Sequence, residues 1–298
     1  ILVISNLVPI SLLVTMETIK FFQSWVIGWD VDMYDITKTY GCKVQTSTLN
    51  EELGQIQYIF SDKTGTLTKN QMNYKMMSIG VNVYGSFEKN KNNNAEILND
   101  KYGNITNVDF CDVDNNFQKD LNDEYKKELI NHFMINLCLC NSVIIDKKEF
   151  DKSNIINYQA SSPDEMALVS FARSQNFIFL DRTSDDYINL EINGEKKNYK
   201  ILKNLEYSSE RKRMSVICKT PEGEIYQYIK GADSTIELLL NEDSKKSYEL
   251  QRTKEYLTAY SNHGLRTLML AYKRLSKEEY SLWNNTYEKT KKNQNHKE

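Results

Sequence analysis

Residues 1–16 carry no charge, and apolar positions continue past Glu17 and Lys20 through Phe21, Phe22, Trp25, Val26, Ile27 and Trp29. A helix over residues 1–16 would be about 24 Å long, short of a hydrocarbon core of roughly 30 Å. Residues upstream, or the stretch to Trp29, must complete a membrane span. Trp25 and Trp29 suit an interfacial aromatic belt, and a buried core helix is the alternative. Pro9 removes one donor from the helical ladder, a break that membrane helices tolerate beside a cavity or a neighbouring helix.

The pattern then turns polar. Residues 30–55 read as a stalk. Residues 56–60, Ile-Gln-Tyr-Ile-Phe, predict a short strand, and Gly65 predicts a turn. Asp62 would thus lie just beyond the carboxyl end of a strand, where open α/β sheets place reactive groups. Residues 88–127, with Asn92-Asn93-Asn94 and Asn115-Asn116, read as a low-complexity, mobile insertion. Helices are expected at 129–137, 166–172, 234–240 and 246–263, and strands at 143–145, 199–202, 214–218, 225–229 and 267–272. Pro163, Asp164 and Glu165 suit the start of the second helix, where the macrodipole favours acids. The basic, Asn-rich stretch 289–298 is expected to fray.

Charge changes the picture little: 38 basic against 41 acidic residues give −3, no electrostatic reason to expect nucleic acid as a partner. The five cysteines, Cys42, Cys111, Cys138, Cys140 and Cys218, are odd in number and lack paired spacing, which argues against a disulfide framework and fits a reducing compartment. Cys138-Leu139-Cys140 with His132 nearby is a weak metal candidate; buried free thiols on an apolar helix are the better reading. The chain begins with Ile, without a basic n-region or a small-residue cleavage site, so a secretory signal is not expected and the chain reads as a stretch of something longer.

The strongest chemistry lies in Ser61-Asp62-Lys63-Thr64-Gly65-Thr66-Leu67-Thr68. A carboxylate can attack the γ-phosphorus of ATP to form an acyl phosphate, and nearby cations and amides stabilise the charge on the phosphoryl oxygens. Asp62 supplies the carboxylate and Lys63 a cation. Thr64 offers a backbone carbonyl to Mg²⁺, which prefers oxygen ligands. Gly65 permits close backbone approach, and Thr66 adds a hydroxyl and an amide. Related phosphatases carry an acid two residues after the nucleophile; with Thr64 there, the intermediate should live longer.

Residues 62–68 resemble the phosphorylation signature of the P-type ATPases in full. Four further segments resemble the nucleotide domain of the lipid-flipping class: residues 158–165 (YQASSPDE), 205–216 (LEYSSERKRMSV), 230–233 (KGAD) and 264–268 (GLRTL). The resemblance implies a multidomain α/β and α+β membrane protein fragment. Its parts would be a transmembrane helix (1–29), the stalk (30–55), the first part of a haloacid-dehalogenase-like phosphorylation domain (56–77), an inserted α+β nucleotide-binding domain (78–285) and a frayed tail (286–298). It further implies Asp62 as the 4-aspartylphosphate, Mg²⁺ held by Asp62 and Thr64, and ATP contacted by Asp62, Lys63, Thr64, Glu165, Tyr207, Lys230 and Arg266. Tyr207 would stack on adenine where the family usually has Phe, Glu165 would accept a hydrogen bond at the adenine rim, Lys230 would reach into the slot, and Arg266 would meet a phosphate with its planar fork.

Ile10 follows Pro9 where cation pumps of this superfamily carry an acid. The resemblance therefore points to a phospholipid, with Ile10 in a hydrophobic gate and Asn6 one turn upstream. It also implies an integral membrane protein that is cytosolic from about residue 30 onward, with a two-span accessory subunit. A P-type pump for a cation or polyamine, and a non-catalytic nucleotide-binding fragment, stand as alternatives. The second gains weight because the family's Gly-Asp-Gly-x-Asn-Asp run and its Thr-Gly-Glu/Asp loop are absent from these residues, so this piece alone is expected to be inactive.

Overall fold

A computed structural model describes residues 10–36, 39–87, 98–112, 115–146, 150 and 152–292. Asn6 and Pro9 lie outside the described residues. The chain divides into two compact units, Ile1–Lys69 and Asn70–Glu298.

In the first unit, helix α1 (Ile10–Gly28) runs without a break through Glu17 and Lys20. At 19 residues it is about 28 Å long, and it is long and apolar enough to cross a membrane. Its apolar side chains face outward, Ile10 being 79% exposed. Phe21, Phe22, Trp25 and Trp29 form one aromatic ladder, with the two indoles 5.8 Å apart. The short helix α2 (Asn50–Leu53) docks on α1 through polar groups: Asn50 Nδ2 donates to the Lys20 carbonyl at 3.2 Å and to Ser24 Oγ at 3.3 Å.

Residues 56–60 do not form the expected strand. A strand exists only through cross-strand hydrogen bonds, and these residues pair with none of the described ones; Phe60 is 95% exposed.

The second unit is built on an antiparallel meander of six strands, β7 (Phe177–Arg182), β8 (Tyr187–Ile192), β9 (Glu195–Leu205), β10 (Arg213–Lys219), β11 (Ile225–Gly231) and β12 (Met269–Leu275), each paired with the next in sequence. Strand β10 is central and covered on both faces, which explains its unbroken run Met214-Ser215-Val216-Ile217-Cys218. On one face Met214, Val216, Cys218 and Tyr228 pack with helix α4 (Glu124–Leu139) and helix α5 (Pro163–Ser174) in the main core. Helix α6 (Asp233–Leu239), α7 (Glu242–Lys245) and α8 (Tyr248–Asn262) follow, and Ile236, Leu250 and Leu257 form a smaller core with Met269. The helices start as their sequences dictate. Asp123 and Ser247 cap α4 and α8 through their side chains, and Pro163 opens α5 with Asp164 and Glu165 in its first turn.

The insertion departs from expectation. Residues 88–97, 113 and 114 lie outside the described residues, but 98–112 and 115–127 are folded. Strands β1 (Met77–Ile79) and β2 (Asn82–Tyr84) precede it as a hairpin, and β3 (Leu98–Asp100) with β4 (Gly103–Ile105) form another. Phe117, on α3 (Asn116–Asp120), is buried in the main core. The Tyr102 hydroxyl donates to Glu191 Oε2 at 2.7 Å. Asp100 receives two bonds from the Arg173 guanidinium, at 2.8 and 2.7 Å. A polar composition can thus be held by a few apolar and ionic anchors. Nor is the stretch 286–298 frayed throughout: α9 (Lys277–Lys292) includes it as far as Lys292, with Glu288 paired to Lys203 and Trp283 stacked on Tyr287. Residues 293–298 lie outside the described residues. Short strands β5 (Ile144–Ile145) and β6 (Tyr158–Gln159) pair beside α5.

Candidate functional site

The expected site residues fall in both units, and each group is described within its own. In the first unit Asp62, Lys63 and Thr64 lie on one exposed turn. The Lys63 carbonyl closes it, accepting from the amides of Leu67 at 3.0 Å and Thr68 at 3.1 Å and from Thr68 Oγ1 at 3.2 Å. Gly65 sits at φ +80°, where a glycine is favoured. Asp62 Oδ1 accepts from the Thr64 amide at 3.2 Å, which leaves most of the carboxylate facing solvent. The Asp62 carboxylate and the Thr64 carbonyl are oxygen donors, the kind Mg²⁺ takes. Among the described residues no group of three or more His, Cys, Asp or Glu side chains is gathered to hold a metal.

In the second unit Glu165 and Lys230 meet. Lys230 Nζ lies 2.9 Å from Glu165 Oε1, and both side chains are largely buried. Lys230 comes from β11 and Glu165 from the first turn of α5. The other carboxylate oxygen, Oε2, accepts from the Ser142 amide at 2.9 Å and from Ser142 Oγ at 2.5 Å. Burial opposes ionisation of Glu165, but the Lys230 ammonium and the two Ser142 donors outweigh it and hold its carboxyl below the ordinary value of 4.5.

Tyr207 lies on the loop between β9 and β10 and is 63% exposed, which leaves its ring open to a ligand. That loop rests against the end of β11: Ala232 N donates to the Lys212 carbonyl at 3.0 Å, and Lys212 N to Ser208 O at 2.8 Å. Gly231 permits this contact, because a Cβ there would lie 2.5 Å from the Lys212 carbonyl oxygen. The sequence Lys230-Gly231-Ala232 thus joins a buried cation to the loop that carries the aromatic ring. Arg266 is spent on Asp164, its Nη1 2.7 Å from Oδ2. A phosphate would have to compete with that carboxylate.

Asp164 and Arg266 also line a cavity of about 400 Å³ bounded by residues such as Leu168, Leu257 and Tyr260, whereas Glu165, Tyr207 and Lys230 do not line it. The Glu165–Lys230 pair is the better candidate for recognition, since two oppositely charged groups are held together there, one residue from the contact with the loop that bears Tyr207.

Cys138 and Cys140 are fully buried free thiols. Burial pushes both up, Cys140 to about 12, which favours the protonated thiol near neutral pH. Sequence reading missed Ser142 and Asn141. Asn at the end of a helical run is a cue for a helix stop; nothing marks Ser142 except its place after that Asn.

A family model described as P-type ATPase, cytoplasmic domain N, matches residues 129–298. Phospholipid-transporting ATPase IC of Mus musculus is 38% identical over 290 residues, covering 96% of this chain and 22% of that protein. Phospholipid-transporting ATPase DRS2 of Saccharomyces cerevisiae is 41% identical over 286 residues, covering 95% and 20%. Phospholipid-transporting ATPase FetA of Mus musculus is 39% identical over 289 residues, covering 95% and 24%. The chain thus spans about a fifth to a quarter of the length of these curated relatives. With a six-stranded antiparallel sheet in the matched region and an apolar helix before it, the chain belongs to the P-type ATPase family, in the P4 branch that these relatives represent.

Proposed function

We propose that this chain is part of an ATP-driven phospholipid translocase that works through an aspartyl phosphate on Asp62. The observation that carries the reading is the Asp62 carboxylate itself. It stands on an exposed turn whose own backbone closes it, beside Lys63, in the unbroken motif 62–68. In this reading a carboxylate oxygen of Asp62 bonds to the γ-phosphorus of ATP as the bond to the β-bridging oxygen breaks. ADP leaves with that electron pair, and water later cleaves the acyl phosphate. Lys63 offsets phosphoryl charge. Mg²⁺, bound through Asp62 and Thr64, would neutralise the phosphate oxygens.

The second unit binds the nucleotide. Lys230, neutralised by Glu165, makes a slot with little net charge, which suits an uncharged base better than a polyphosphate, and Tyr207 offers a ring for the base to stack on. Helix α1, with Ile10 at its start, lies in the membrane as part of the lipid path, and the chain from about residue 30 is cytosolic. Phospholipid as cargo follows from the relatives' names and from the absence of any carboxylate in α1 other than Glu17.

The protein made from its full coding sequence, given γ-labelled ATP, should take up acid-stable, hydroxylamine-labile label. Asp62→Asn should abolish that label together with lipid-stimulated ATP hydrolysis. Label that persists in Asp62→Asn would overturn the assignment.

A further inference from the structure

Glu165 is held more firmly than an acceptor waiting for a ligand needs to be. A carboxylate has about four acceptor sites, and three of those on Glu165 are filled: Lys230 Nζ takes one on Oε1, and the Ser142 amide and hydroxyl take two on Oε2. Ser142 is placed by the residue before it. Asn141 is fully buried, and its Nδ2 donates to the carbonyls of Leu137 at 3.2 Å and Cys138 at 2.6 Å, closing the end of α4. Its Oδ1 accepts from the Val143 amide at 3.0 Å, and its carbonyl accepts from Arg182 Nη2 at 2.8 Å. These four bonds fix the turn, so that both donors of Ser142 converge on one oxygen of Glu165.

We propose that the Asn141–Ser142 turn is a positioning element of the nucleotide site, in which Ser142 orients Glu165 and Glu165 in turn orients Lys230 toward the base. This rests on the nucleotide-binding reading above and assigns Glu165 chiefly to the lysine rather than to the adenine rim. Ser142 does not touch the ligand; it acts through Glu165.

The groups facing Glu165 are Lys230 from β11, Arg182 from β7, the Cys140 thiol at the end of α4 and Ser142 itself. Since the folded carboxyl lies below its ordinary value, the arrangement is intact above that value and is lost as pH falls through the folded one. Removing the Ser142 hydroxyl takes away a donor to the ionised form. Protonation then begins at higher pH.

The test is calorimetric titration of the full chain in detergent with ADP across pH 4–8. Ser142→Ala should weaken ADP about two- to tenfold at neutral pH, the size of one lost hydrogen bond. It should also move the acid limb of binding to higher pH, and Ser142→Thr should restore both. Because Ser142 itself is exposed and only one bond is lost, melting should fall by no more than about 4 °C. Wild-type affinity and an unmoved limb in Ser142→Ala would overturn the positioning role, as would equal weakening in both variants with the limb unmoved. A wild-type chain that binds no ADP would instead sink the nucleotide reading, and the positioning role with it.

Discussion

Asp62 and Glu165 are both carboxylates assigned to chemistry, and their surroundings differ in kind. Asp62 is exposed on a turn that, among the described residues, is fastened by its own neighbours, the bonds running among residues 61–68. Glu165 is tied to three other segments of the second unit: β11 through Lys230, the end of α4 through Ser142, and β7 through the Arg182 bond to Asn141. A nucleophile must meet successive partners, phosphate and then water, and gains from an open carboxylate. A recognition site must present one fixed face, and gains from groups already held before the ligand arrives. Anchoring on this scale also predicts where the chain will be sensitive to change.

The largest effect is expected at Arg173. Its guanidinium grips Asp100 with two bonds and donates to the carbonyls of Ile156 at 3.0 Å and Gly103 at 3.1 Å, with the side chain only 2% exposed. Arg173→Met should destabilise the second unit by about 3–5 kcal/mol, because a partly buried Asp100 loses its counter-charge. Urea unfolding followed by circular dichroism measures this. Adding Asp100→Asn should recover part of the loss. If Arg173→Met melts like wild type, the hairpin from β3 to β4 is not a real anchor, and the contrast between the two units weakens.

That hairpin shows where sequence reading stops. The long elements were legible: α4, α5 and the strands β9 to β11 cover the stretches their patterns predict, and α8 and β12 lie within two residues of theirs at the start, because apolar periodicity and end signals agree there. The residues after Asn94 were read by composition alone, and Tyr102 and Phe117, two aromatics within a polar run, were the signal passed over. Residues 56–60 went the other way: a good β pattern there pairs with none of the described residues. Periodicity reports what a segment prefers; pairing depends on what lies beside it. At the candidate site, Lys230 and Glu165 were legible as types. Their contact, and Ser142 behind it, depend on three segments far apart in sequence.

A middle-sized effect is expected at Gly231. A Cβ there would lie 2.5 Å from the Lys212 carbonyl and 2.8 Å from Arg213 Cβ, so Gly231→Ala must move backbone. The cost should be about 1–3 kcal/mol, read as a lowered melting temperature, with weaker ADP binding because the loop bearing Tyr207 shifts away from Lys230. Gly65 is the counterpart in the first unit. Nothing lies within 4 Å of a Cβ there, and only its φ of +80° resists substitution. Weaker ADP binding in Gly231→Ala without any loss of stability would point to a loop that tolerates crowding, against the rigid slot argued here.

The smallest effect on stability should come from the residue with the largest effect on chemistry. Asp62→Asn keeps an oxygen that can accept from the Thr64 amide, now at 3.2 Å, and the side chain is exposed, so no buried charge or packing is lost. Thermal or urea unfolding of the full chain should shift by no more than about 0.5 kcal/mol, while phosphoryl transfer to residue 62 disappears because an amide is not a nucleophile at phosphorus under these conditions. A destabilisation above about 1 kcal/mol would mean that the carboxylate is held by structure the turn does not display, and the distinction between an open nucleophile and an anchored recognition pair would fail at the residue on which it depends.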